Sequence, residues 1–315
     1  MIRIGLDIGG TGIKIGAVDE EHHILAHDTI PTVTSIPFEA QVDQMVDCIH
    51  RLLNPAVHPG LTINEVESIG AGIPGIANQD GVVINCTNLG WYHTPLRKEF
   101  QKRIDRPFYV DNDANVAALA ESVAGKSAGT SSSIFITLGT GVGSGIILNG
   151  KIWKGFHGVG GELGHMILKL DGPLCSCGNH GCVETFCSAT GLIRMAREAV
   201  SVHPDSRILA IAGGDPAHIT AKTVFDAKIE GDPVGEELFR TYVSYLSQTI
   251  AGLVNFMDPE IILLGGGVSK AGSLLQDAVQ AEYPQYVLFN DQPLPRVEIA
   301  TLGADAGIIG AAMLS

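Results

Sequence analysis

The chain has 315 residues, of which 45% are apolar, so it is long enough for two domains that each bury a core. Its 34 acidic and 20 basic residues give a formal net charge of −14, which argues against a nucleic-acid binder with a basic surface. No apolar run approaches the ~20 residues of a membrane span, and the N-terminus lacks a signal-peptide pattern, so we expect a cytoplasmic protein.

The first half of the chain alternates between predicted strands and predicted helices. Apolar residues recur with helical spacing over 38–53, and a second helix is predicted directly after the sequence "YVDN". The predicted strands are 2–8, 13–19, 24–32, 67–73 and 107–111, and the predicted helices are 38–53 and 113–124.

The same pattern begins again near residue 133. The predicted strands are 133–138, 144–148, 151–153, 260–264 and 297–301, a loop is predicted at 154–186, and the predicted helices are 189–201, 222–229, 234–256 and 305–314. Because a strand, a glycine turn and a second strand open each half, we predict a weak internal repeat of about 130 residues. The last helix follows the second half and is free to return to the first.

Two glycine turns link these strand pairs, in "DIGGTGIK" (7–14) and "LGTGVGSG" (138–145). Glycine lets the backbone approach a ligand closely, and successive N–H groups in such turns form a concave anion site. Either turn alone is compatible with an ordinary hairpin. The presence of two, one in each half, favours a site for a polyphosphate. Neither matches the dinucleotide or P-loop fingerprints.

Three polar residues, Asp111, Asn112 and Asp113, stand where a predicted strand ends and a helix begins. Ligands of α/β proteins gather at such strand ends. One of the three is sufficient to cap the helix. Another could act as a general base that accepts a hydroxyl proton during phosphoryl transfer. The stretch by itself leaves both interpretations open.

The segment 160–186 places three of the six cysteines in the spacing C-x-C-x₄-C: Cys175, Cys177 and Cys182. In a chain without a secretion signal, this spacing favours a metal site over disulfides or unligated thiols. A tetrahedral site needs a fourth ligand. Two glutamates, Glu162 and Glu184, bracket the cysteines.

Together "DIGGTGIK", "DNDAN", "LGTGVGSGIILNGKIWKGFHGVGGELGH" and "CSCGNHGCVE" resemble the ROK family of sugar kinases and related repressors, within the actin-like ATPase and hexokinase superfamily. Within the family, "NLGW" (88–91) and "CVETFCSATG" are most similar to bacterial glucokinases. The resemblance implies an α/β fold of two actin-like ATPase (ribonuclease H-like) domains with a cleft between them. The smaller domain would hold residues 1–115 and 303–315, and the larger 116–302 with a zinc loop.

The resemblance also implies ATP-dependent phosphorylation of a hexose, glucose above all, at its 6-hydroxyl, with Asp113 as the catalytic base and a homodimer as the assembly. The sugar-binding residues would be Pro74, Gly75, Asn88, Asn112, Asp113, Glu162, His165 and Glu184. The ATP-binding residues would be Asp7, Gly9, Gly10, Thr11, Lys14, Gly139, Thr140, Gly141, Gly266 and Gly267, with Asp7 near Mg²⁺ and the last two near the adenosine. A structural Zn²⁺ would be held by His165, Cys175, Cys177 and Cys182.

Three alternatives remain at this level. Cys187 competes with His165 as the fourth zinc ligand. The same polar residues would serve an N-acetylmannosamine, N-acetylglucosamine or fructose kinase. A sugar-responsive repressor of the family is disfavoured, because its helix-turn-helix domain would precede a first strand that here begins at residue 2.

Overall fold

The computed structural model describes all 315 residues and confirms the predicted α/β fold class. The first sheet has the strand order β3-β2-β1-β4-β8. Strands β1, β2 and β3 pair in antiparallel fashion, whereas β4 is parallel to β1 and β8 is parallel to β4. The strands are β1 (Ile2–Ile8), β2 (Gly12–Val18), β3 (Ile24–Pro31), β4 (Val66–Ile73) and β8 (Phe108–Asn112).

The second sheet repeats this arrangement, with the strand order β11-β10-β9-β12-β13. In both sheets, three successive strands lie side by side and two later parallel strands extend the sheet from the first of them. The internal repeat predicted from the sequence therefore appears as two sheets of the same topology. The strands are β9 (Ser132–Leu138), β10 (Val142–Leu148), β11 (Lys151–Trp153), β12 (Ile261–Gly265) and β13 (Arg296–Ile299).

A third, three-stranded sheet was not predicted. Its strands have only two to four residues, too few for the alternation of apolar and polar residues that identifies a strand. They are β5 (Ile76–Ala77), β6 (Val83–Cys86) and β7 (Trp91–Thr94).

Ten α-helices complete the fold. The predicted helices are present within a few residues, whereas α2, α4, α6 and α9 were missed. Three of these four have six residues or fewer and show no helical period. The helices are α1 (Phe38–Leu52), α2 (Leu96–Gln101), α3 (Asp113–Ala124), α4 (Glu184–Cys187), α5 (Ala189–Val202), α6 (Arg207–Ile211), α7 (Ala221–Ile229), α8 (Pro233–Met257), α9 (Ser273–Glu282) and α10 (Ala306–Ala312). None of them is both long enough and apolar enough to cross a membrane.

The chain divides into two compact units. Unit 1 contains residues 1–131, 145–161 and 301–315, and unit 2 contains residues 132–144 and 162–300. The C-terminal helix α10 belongs to unit 1, where it packs directly on the first sheet. A side chain on Gly5 or Gly70 would overlap the α10 backbone, so glycine at these two strand positions permits the close packing.

A buried carboxylate joins the end of α3 to the segment before α10. Glu121 is fully buried, and its oxygens accept hydrogen bonds from the backbone N–H groups of Thr301 (2.7 Å), Leu302 (2.8 Å) and Lys126 (2.8 Å). This single side chain therefore satisfies three backbone donors from two distant parts of the sequence.

We expect Glu121→Ala to lower the free energy of unfolding by about 3–5 kcal/mol, because it leaves buried N–H groups without an acceptor. Urea unfolding followed by circular dichroism measures the change. The matched control is Glu67→Ala, which removes a half-exposed ion pair with Arg3 and should cost less than about 1 kcal/mol. Equal effects of the two variants would contradict the assigned role.

Candidate active site and metal centre

The end of β8 assigns a different role to each residue of the "DND" sequence. Asn112 caps α3, since its side-chain oxygen accepts from the N–H groups of Ala114 (2.9 Å) and Asn115 (3.4 Å). Asp111 is buried, whereas Asp113 is exposed at the first position of the helix. Asn112 therefore does the capping, and the exposed Asp113 uses one carboxylate oxygen to accept from the N–H of Ala114 at 2.8 Å.

The turn that follows β4 lies beside this strand end. Asn112 donates its side-chain N–H to the carbonyl oxygen of Gly75 at 3.3 Å. The thiol of Cys86 donates to the carbonyl oxygen of Pro74 at 3.5 Å, and burial raises the pKa of that thiol to about 11. The predicted residues Pro74, Gly75 and Asn112 thus lie together, and the contact made by Cys86 was not predicted.

The first glycine turn joins β1 to β2 and exposes its backbone. Gly9 donates to the carbonyl oxygen of Gly12 at 3.0 Å, and Gly10 and Thr11 are exposed. Directly below the turn, the ammonium group of Lys14 lies 3.0 Å from the carboxylate of Asp7. The exposed Asn88 is next to Gly10. The turn therefore presents N–H groups, a hydroxyl and one cation to solvent.

The second glycine turn, residues 139–141, is held by the start of α5. Ala189 donates its N–H to the carbonyl oxygen of Gly139 at 2.8 Å, and the hydroxyl of Thr190 donates to the carbonyl oxygen of Thr140 at 2.8 Å. Thr140 itself is exposed. Neither α5 contact was predicted, because no local pattern relates residues fifty positions apart.

Glu184 connects the second glycine turn to the cysteine segment. One of its carboxylate oxygens accepts from the N–H of Val142 at 3.1 Å and the other from the hydroxyl of Ser176 at 3.2 Å. A side chain on Gly141 would overlap this carboxylate. Glu184 therefore orders the second glycine turn as well as the loop that carries the cysteines.

Glu162 and His165 stand on either side of a short turn packed against β10. The N–H of His165 donates to the carbonyl oxygen of Glu162 at 3.1 Å, and the N–H of Leu163 donates to the hydroxyl of Ser144 at 3.3 Å. Glu162 is exposed and His165 is half-buried.

Two further predicted residues, Gly266 and Gly267, follow β12. A cavity of about 360 Å³ lies beside Gly267, and its lining includes Phe225, Ile229, Val268, Lys270 and Leu274.

The four predicted metal ligands lie together in unit 2. The ligand atoms of His165, Cys175, Cys177 and Cys182 are all within 4.8 Å of one another. Sγ of Cys177 is 3.7 Å from Sγ of Cys182, and Sγ of Cys175 is 3.6 Å from Nδ1 of His165. A tetrahedral zinc ion with Zn–S bonds of about 2.3 Å requires S–S separations of about 3.8 Å and slightly shorter S–N separations. The arrangement therefore fits such an ion.

Cys187 is not part of this group. It is fully buried on α4, its sulfur lies 4.0 Å from the hydroxyl oxygen of Thr249, and burial raises the pKa of its thiol to about 12. Its sulfur therefore lies beside Thr249 and outside the group of ligand atoms formed by His165 and the three other cysteines. The sequence left two candidates for the fourth ligand, His165 and Cys187. Only His165 lies next to the three cysteines.

Comparisons with known proteins agree with this architecture. The model of the ROK family matches residues 3–315. A glucokinase from Halalkalibacterium halodurans is 37% identical over 313 residues, which cover 99% of this chain and 94% of that protein. A ROK family glucokinase from Streptomyces griseus, solved in complex with glucose and AMPPNP, is 34% identical with a TM-score of 0.80, covering 99% of this chain and 98% of that one. A ROK hexokinase from Thermus thermophilus is 32% identical with a TM-score of 0.84, covering 99% and 97%.

Proposed function

Because this chain belongs to the ROK family, we propose that it is an ATP-dependent sugar kinase that transfers the γ-phosphoryl group to the 6-hydroxyl of glucose. The observation that carries the proposal is the full-length similarity to glucokinases, including one solved with glucose and an ATP analogue. The placement of Asp113 supports it, since a kinase of this kind needs an exposed carboxylate.

Asp113 acts as the general base. Phosphoryl transfer requires little covalent chemistry from the protein, so positioning and electrostatics do most of the work. The carboxylate of Asp113 accepts the proton of the sugar 6-hydroxyl while the oxygen of that hydroxyl attacks the γ-phosphorus. ADP is the leaving group. Its position at the start of α3, beside the cap Asn112, fixes where this carboxylate lies.

The ATP phosphates bind at the glycine turns. The backbone N–H groups of Gly10, Thr11, Thr140 and Gly141 supply donors, whereas those of Gly9 and Gly139 close their own turns. Lys14 adds a positive charge next to Asp7. Magnesium bound with ATP would neutralise charge on the phosphates, and Asp7 would be the carboxylate near it. The cavity beside Gly267 is of the size and apolar character that suit a purine base.

The hexose hydroxyls bind to the side chains of Asn88, Asn112, Glu162, His165 and Glu184 and to the backbone at Pro74 and Gly75. Glutamates and amides suit sugars because each can form hydrogen bonds with more than one hydroxyl.

We also assign a structural Zn²⁺ to His165, Cys175, Cys177 and Cys182, whose spacing supports a tetrahedral ion. A cytoplasmic homodimer is the expected form, which sedimentation analysis of the purified protein would test.

We expect glucose to be the best substrate, with N-acetylglucosamine and N-acetylmannosamine at least about tenfold poorer in kcat/KM, or roughly 1.4 kcal/mol. A coupled assay over glucose, mannose, fructose and the N-acetyl amino sugars measures the ranking. A higher kcat/KM for an N-acetylated sugar would contradict glucose as the substrate and leave the kinase activity intact. The absence of ATP consumption with every sugar would contradict the kinase itself.

A further inference from the structure

An ion pair beside the proposed base has no role in the site as described above. The ammonium group of Lys154 lies 2.7 Å from Oδ2 of Asp111. The side chain of Asp111 is only 7% exposed and that of Lys154 is 36% exposed. The pair therefore lies largely inside unit 1, two positions from Asp113 in the sequence.

The other oxygen of Asp111 fixes the turn on which the proposed base stands. Oδ1 accepts from the N–H of Asn112 at 2.8 Å and from the side-chain N–H of Asn115 at 2.9 Å. These two bonds tie the end of β8 to the first turn of α3. Asp113 lies between the two donors, so the direction of its side chain depends on this turn.

Lys154 opens a loop with few internal constraints. Residues 154–161 include four glycines, three of which have positive φ angles. The loop closes on itself through a bond from the N–H of Gly160 to the carbonyl oxygen of Lys154, at 2.8 Å. Glu162 follows in the sequence. Because glycine allows many backbone conformations, an ion pair at the first residue of this loop is well suited to hold the loop in place.

Ion pairs on open surfaces contribute little, and their loss is often without effect. This pair differs because Asp111 is buried, so removing Lys154 would leave a buried carboxylate with one oxygen unpaired. The turn carrying Asn112 and Asp113 would have to move so that water could reach that oxygen. The consequence would be a displaced catalytic carboxylate.

We propose that Lys154 is a positioning residue for phosphoryl transfer, and that its ion pair with Asp111 ties the loop 154–161 to the strand end that carries Asn112 and Asp113. The proposal rests on the proposed kinase function for its catalytic consequence. The anchoring of the loop can be measured without any activity.

The kinetic test compares Lys154→Met, Lys154→Arg and the control Lys151→Met, which removes an exposed charge from the same hairpin. Since a misplacement of about 1 Å can cost about 10²-fold in rate, we expect Lys154→Met to lower kcat at least about tenfold and raise the KM for glucose. The KM for ATP should change little. Lys154→Arg should restore most of the rate, and Lys151→Met should behave as wild type.

A double-mutant cycle and limited proteolysis complete the test. If the two residues act as a pair, Lys154→Met combined with Asp111→Asn should be no slower than the poorer single variant. Chymotrypsin should cut after the exposed Phe156 faster in Lys154→Met than in wild type or Lys151→Met.

Unchanged kcat and unchanged cleavage in Lys154→Met would overturn the proposal, as would additive effects of the two substitutions. If wild type itself failed to phosphorylate any hexose while Lys154→Met was still cut faster, the anchoring would stand and the kinase function would fail.

Discussion

Asp113→Asn is expected to lower kcat for glucose phosphorylation by about 10²–10⁴-fold, the usual contribution of a general base. Asparagine keeps the shape of the side chain and removes the proton acceptor. The fold should survive, because Asn112 caps α3 and the buried Asp111 makes the structural contacts at this strand end. Dissociation constants for glucose and ATP should therefore stay close to those of wild type.

Steady-state kinetics over a range of pH, with calorimetric binding of both substrates, measures these effects. Asp105→Asn is the matched control, since it makes the same substitution at an exposed position shortly before β8. Near-normal turnover of Asp113→Asn with an unchanged pH profile would show that another group accepts the proton.

Removal of the metal is expected to have the second large effect. We expect one zinc ion per chain. Its loss should lower kcat and raise the KM for glucose, so that kcat/KM falls by about 10²-fold. The physical reason is that residues 166–186 contain little regular structure besides the short α4, so the ligands hold the loop in shape. Without the ion, His165 and Glu184 would lose their fixed positions.

The effect on ATP should be smaller than the effect on glucose. The turn 139–141 would lose the contact of Val142 with Glu184 but keep its contacts from Ala189 and Thr190 of α5, which do not involve the metal loop. The core also lies mainly in the sheets and their helices, so the stripped protein should remain folded. Glucose and ATP affinities before and after chelation, with circular dichroism, separate these three consequences.

Two cysteine substitutions test the ligand assignment. Cys177→Ala should lose zinc by elemental analysis and reproduce the kinetic effect of chelation. Cys187→Ala is the control, since that sulfur lies next to Thr249 and outside the ligand group. Loss of zinc in Cys187→Ala combined with its retention in His165→Ala would refute the assignment of the fourth ligand.

Much of the architecture follows from local patterns in the sequence. Short segments rich in apolar residues predicted the long strands, and helical spacing of apolar residues predicted α1. The spacing of Cys175, Cys177 and Cys182 predicted a metal-binding loop, because ligands so close in the chain can reach one ion at little entropic cost. The short strands β5, β6 and β7 were missed, since segments of two to four residues are specified by the neighbours they pair with.

The chemical groups that are available can be read from the sequence: two glycine turns, a polar strand end and a cysteine cluster. The role of each residue within these groups depends on the tertiary structure. It assigns capping to Asn112, burial to Asp111 and exposure to Asp113, and it selects His165 over Cys187 as the partner of the cysteines. The physical reason is that these choices depend on burial and on contacts such as that of Lys154 with Asp111, which join residues 43 positions apart. The local pattern of apolar and polar residues does not predict such a contact.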